Sequence, residues 1–64
     1  MTFLSKLFSR KARQQSRYEQ GYTWAKDELH KGNYDYVEAC GYDPYHQDAF
    51  NEGIKQALRD WNLQ

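Results

Sequence analysis

At 64 residues the chain is bounded to one small domain, and a fold of this size buries only roughly 60% of the surface its unfolded chain exposes. Six Tyr, two Trp and three Phe stand against five Leu, one Ile and one Val, so the core is expected to be made largely of amphipathic rings. Net charge is zero and no stretch approaches the ~20 apolar residues of a membrane span; nor is so small a core easily hollowed into the ~300–1,000 Å³ pocket that usually shelters chemistry, so neither an enzyme nor a bilayer-crossing protein is expected.

The zero total hides a division. Residues 1–17 hold Lys6, Arg10, Lys11, Arg13 and Arg17 and no acid, whereas residues 18–64 hold four basic and nine acidic side chains. The chain is thus a basic arm on an acidic body. In the arm Phe3, Leu4, Leu7 and Phe8 fall on one helical face and the cations largely off it. Residues 1–11 suit an anionic membrane surface, a groove on another protein, or an extension of the first helix of the body. The same five cations suit phosphate contacts.

From Tyr18 the residues Tyr18, Gly21, Tyr22, Ala25 and Leu29 recur at offsets that share one face of a 3.6-period helix, and Gly32 after His30 and Lys31 is the expected stop. The segment Asn33 to Gly41, carrying Tyr34, Tyr36 and Val37, is expected as a short helix within a tyrosine-rich connection. A second stripe follows: Phe50, Gly53, Ile54, Ala57, Leu58 and Trp61. Asp43 before Pro44 predicts its N-terminus, with Asp48 as a later candidate.

The two stripes are one pattern used twice, Tyr18, Gly21, Tyr22, Ala25 and Leu29 matching Phe50, Gly53, Ile54, Ala57 and Trp61 at an offset of 32 residues. Glycine inside a helix costs about 1 kcal/mol relative to alanine, so two at matching places imply a compensating gain. Gly21, Ala25, Gly53 and Ala57 are therefore expected at a close helix contact, with Gly21 facing Gly53 or Ala57. The fold class is all-α: a basic arm over 1–17, then a single domain over 18–64 built as an antiparallel two-helix hairpin, with helices over roughly 4–31 and 44–62.

Cys40 is the lone cysteine, and the opening apolar run is short and broken by Lys6, so no secretory signal and a reducing, cytoplasmic setting are expected. Cys40, His30 and His46 fit no zinc spacing, and Cys40 is expected as a small buried filler. Asp27, Glu28, Glu52 and Asp60 suit solvated helix faces, and no glycine-rich phosphate loop is present. No catalytic residue, metal or cofactor is expected.

Gly21-Tyr22, the run Cys40-Gly41-Tyr42-Asp43-Pro44-Tyr45, and Phe50, Gly53, Ala57 and Asp60 together resemble the ribosome modulation factor family over residues 17 to about 61. The resemblance implies two helices joined by a linker, ribosome binding, and Arg17, Tyr22 and Tyr45 nearest an RNA-facing surface. The family is strongly basic, whereas this body is acidic.

A non-enzymatic regulatory binder is the expected function, with three classes of partner. One is the ribosome or its RNA; another is a single protein, taken by an inhibitor or adaptor of phage or mobile-element type through acidic and aromatic surface; the last is a membrane surface met by the arm. Tyr34, Tyr36 and Tyr45 are the expected contacts under the first two, because tyrosine offers large area at low rotamer cost. A second copy of the chain is a further candidate partner.

Overall fold

The computed structural model describes the backbone of residues 3–63 and the side chains of residues 12–63. Three α-helices follow in order: α1 Phe3–His30, α2 Tyr34–Gly41 and α3 Ala49–Asn62. The described residues contain no strand. α1 runs unbroken through residue 17, so the basic arm is the first half of a 28-residue helix.

α1 stops where the sequence places its stop. Gly32 takes a φ of +88°, its N–H donates to Leu29 O at 3.1 Å, and Asn33 N–H donates to Glu28 O at 3.0 Å. This is the Schellman arrangement, which satisfies carbonyls that the helix end leaves unpaired. The Asn33 side chain adds a 2.8 Å bond to the Glu28 carboxylate.

α3 starts later than Asp43-Pro44 suggests. Asp43 spends its carboxylate on its own turn, accepting from Tyr45 N–H at 2.9 Å. Asp48 is the N-cap instead: it accepts from Asn51 N–H at 3.2 Å while its own N–H donates to Asn51 Oδ1 at 3.4 Å. This reciprocal box satisfies two otherwise orphaned donors. Asn51 is buried, and its amide reaches Cys40 O at 2.8 Å, tying the end of α2 to the start of α3.

The expected antiparallel hairpin is not formed. Arg17 meets Asp48 at the start of α3, and the His30 ring lies 5.1 Å from Trp61 near its end. The paired portion of α1 and α3 therefore run side by side in the same direction. α2 returns the chain between them, with Tyr34 beside Asn62 and Gly41 against Ile54. Residues 31–48 are long enough to make that return, which a tight turn is not.

Parallel pairing also changes what the glycines face. Gly21 packs on the backbone of Phe50 and Gly53 on the backbone of Tyr18 and Tyr22, so neither meets the other or Ala57 as its nearest neighbour. Because Tyr18 matches Phe50 and Gly21 matches Gly53 in the repeat, the contact is reciprocal.

The fully buried core is aliphatic: Ala25, Leu29, Val37, Ile54, Ala57 and Leu58. Tyr22, Trp24, Tyr34, Phe50 and Trp61 surround it half-buried, as does Cys40, which is no fully buried filler. Rings thus form a collar and not the centre, since a three-helix body this thin cannot enclose a whole ring.

Candidate functional site: an acidic tyrosine face

α2 buries Val37 and Gly41 against α3, where a Cβ on Gly41 would lie 2.9 Å from Ile54 Cγ2. That inward pair fixes the phase of the helix and turns Asp35, Glu38, Ala39 and Tyr42 outward. These four, with Asp43 and Pro44, line a shallow groove. Between Lys31 and Lys55 the sequence has no Lys or Arg but five acids, Asp35, Glu38, Asp43, Asp48 and Glu52.

Three exposed tyrosines surround this groove: Tyr42 lines it at 57% exposure, Tyr45 follows in the loop at 89%, and Tyr36 stands at 58% on the flank of α2 toward α1. Tyr36 is held from behind, its ring 5.7 Å from Trp24 in an edge contact. The Tyr42 ring has the Lys55 ammonium 5.9 Å from its centroid. The Tyr45 ring is almost wholly exposed, and its backbone is set by the Asp43 turn.

Asp43 is the electrostatic anchor of the loop. The Tyr45 N–H, and after it the His46 ring at 2.9 Å, hold its carboxyl below the usual carboxylate range. Asp48 is likewise lowered, first by the Asn51 N–H and then by Arg17. Both keep their negative charge into mildly acidic conditions.

The residues singled out by sequence separate into groups. Tyr36 and Tyr45 are exposed beside the groove, Tyr36 on the flank of α2 toward α1 and Tyr45 in the loop after α2. Tyr34 is half-buried with its hydroxyl against the Asn62 amide at 3.2 Å, so it serves packing. Tyr22 also turns inward: its hydroxyl donates to Asp60 at 2.5 Å, which raises the tyrosine's pKa and lowers that of Asp60. Arg17 lies over the Phe50 ring at 5.1 Å and pairs with Asp48 at 3.4 Å. Arg13 is exposed. The side chains of Lys6, Arg10 and Lys11, and with them the arm's expected apolar face, lie outside the described residues.

Tyr42 belongs to the face although the sequence does not single it out as a contact. The signal was its spacing from Asp35, Glu38 and Ala39, offsets of 7, 4 and 3, readable only once Val37 and Gly41 are known to point inward.

A second cleft, near the root of the arm, is lined by Arg17, Trp24, Cys40, His46 and Phe50 among others. Among the described residues no three His, Cys, Asp or Glu side chains gather round one point to hold a metal ion, and no helix is long and apolar enough to cross a membrane. Comparison of the chain with models of protein families, with curated proteins and with solved structures finds no match.

Proposed function

We propose that the chain is a non-enzymatic regulatory protein that binds a protein partner through the acidic, tyrosine-bearing face of α2 and the loop after it. One observation carries this: Tyr42 lies more than half exposed in a groove with Asp35, Glu38 and Asp43, flanked by the exposed Tyr36 and Tyr45, and the stretch from residue 32 to residue 54 has no Lys or Arg. Amphipathic rings supply contact area, and a rim richer in acids than in bases, with Lys55 at its edge over Tyr42, favours a basic partner and speeds its arrival.

A second reading, attachment to the ribosome or another RNA, rests on the arm. Its five cations stand on α1 with no acid before Glu19, and such a stretch neutralises phosphates in a salt-dependent way. The resemblance to ribosome modulation factor supports the same reading. Against it, Tyr22 and Arg17 are committed to Asp60 and Asp48.

Affinity purification of the tagged chain from its host, with and without nuclease and at low and moderate salt, separates the two. The protein-binding reading expects one partner that survives nuclease and is lost when Tyr42 and Tyr45 are changed to Ala. Ribosomal subunits that vanish with nuclease, and that persist in the double variant, would replace it with the second reading.

A further inference from the structure

Among the described residues of one copy the basic arm meets the acidic stretch only at its root, where Arg13 and Arg17 share a cleft with Asp48 and Glu52. Residues 1–17 carry five cations and no acid, and residues 32–54 carry five acids and no Lys or Arg. In one copy the two regions join where Arg17 meets Asp48 at 3.4 Å. Beyond that point α1 continues as helix to Phe3, with neither Gly nor Pro before Gly21 to bend it. Arg13 and Gln14 still border the start of α3, so about 15 Å of helix, from residue 12 back to residue 3, continues beyond the cleft. The molecule's 46 Å long axis against widths of 24 and 17 Å reflects that projection. To lay its cations on Asp35 and Glu38, the arm would have to break its own helix.

We infer that the acidic, tyrosine-bearing face takes the basic arm of a second copy of this chain, forming a two-fold dimer in which each arm lies across the other's face. Charge complementarity is the warrant: the arm carries cations and no acid, the groove is lined by the acids Asp35, Glu38 and Asp43 with no base among its lining residues, and exposed tyrosine faces suit Arg and Lys. The Asp43 to Asp48 loop sits at the root of the arm, so a reciprocal crossing brings arm and face of both copies together at one end. A reciprocal contact closes at two copies and does not run on into a filament.

The dimer uses the face assigned above to a partner, so self-association and partner capture compete. It stands independently of that reading, because its test needs only the purified chain.

Sedimentation velocity of the full chain, over concentrations from about 1 μM to about 1 mM, is the experiment. The expected result is a monomer–dimer equilibrium that weakens at least about tenfold between roughly 0.05 M and 0.5 M salt. An arm-reversed variant, Lys11→Glu with Arg13→Glu, and a face-reversed variant, Asp35→Lys with Glu38→Lys, should each be monomeric; mixed one to one they should associate. These positions lie at the surface or on the arm, and circular dichroism checks that the helices persist. A wild-type chain that stays monomeric at low salt overturns the inference, as does a dimer indifferent to salt and to both reversals. Binding of the wild-type chain to phosphatidylserine vesicles without self-association overturns it too, in favour of a lipid surface for the arm.

Discussion

Gly21 lies against the carbonyl group of Phe50 so closely that a Cβ built on the glycine would sit 2.8 Å from the carbonyl carbon. The hydrogen in that direction points at the oxygen, a weak Cα–H···O contact of the sort that recurs where helices approach closely. Gly53 repeats it against Tyr18, with a Cβ position 2.8 Å from Tyr22 N. Gly21→Ala and Gly53→Ala should each gain about 1 kcal/mol of helix propensity and lose more than that to overpacking, typically about 1–3 kcal/mol, because the atoms met are backbone and cannot swing aside. Thermal denaturation checks this; a melting temperature raised by either change would contradict the close approach.

Gly32 is needed for a different reason. No atom crowds it, but its φ of +88° costs a side chain about 1 kcal/mol or more. Gly32→Ala should lower the melting point, and Gly32→Asn, which tolerates that conformation better, should lower it less.

Asp48 and Asn51 form the box that starts α3, and Asn51 also holds Cys40 O. Asp48→Ala is expected to cost about 0.5–2 kcal/mol as a lost N-cap. Asn51→Leu should cost about 1–3 kcal/mol, since it leaves a carbonyl beneath it without its donor. Urea denaturation of both variants at neutral pH reads these losses.

Asp60 and Tyr22 make stability depend on pH at both ends. The Tyr22 hydroxyl, then Gln56, holds the Asp60 carboxyl below its ordinary range, and Asp43, Asp48 and Glu28 are lowered too. Unfolding restores ordinary values near pH 4, so the unfolded chain takes up more protons in acid, and stability should fall as pH drops below about 5. Tyr22, raised by its bond to Asp60, contributes stability that is whole below its unfolded value of about 10 and lost as pH rises through the folded one. Tyr22→Phe should shrink both slopes in a pH series of melting temperatures. Unchanged slopes would mean that the bond carries no weight in solution.

Tyr42→Ala and Tyr45→Ala should leave the melting temperature nearly unchanged, because both rings are exposed, and should cost most of any partner capture through the face. A fall in stability equal to that of Tyr22→Phe would place these rings in the fold instead.

The buried stripes were legible because spacing and the glycines name a face directly. Direction was not: a stripe tells which side of a helix is covered, but Gly21 and Gly53 suit a parallel or an antiparallel neighbour alike. Of the two starts the sequence offers for α3, the later one, Asp48, is the N-cap; Asp43 before Pro44 resembles a cap more closely, because the box at Asp48 uses Asn51 where Glu or Gln is usual. Tyr22 and Tyr45 look alike in the sequence. Only the acid that meets Tyr22, 38 residues away, separates a packed tyrosine from an exposed one.

Parallel pairing also sets how the chain can assemble. A helical hairpin zips outward from its turn, each new contact closing a slightly larger loop. Here the pairs at opposite sides of the interface, Arg17 with Asp48 and Tyr22 with Asp60, close 31 and 38 residues. The entropy of bringing the ends together is therefore lost before the first such contact rewards it. α2, which leans on α3 through Gly41 and Asn51, shortens that search by ordering the middle of the loop, and the crossover becomes the element on which the folding rate of the whole chain depends.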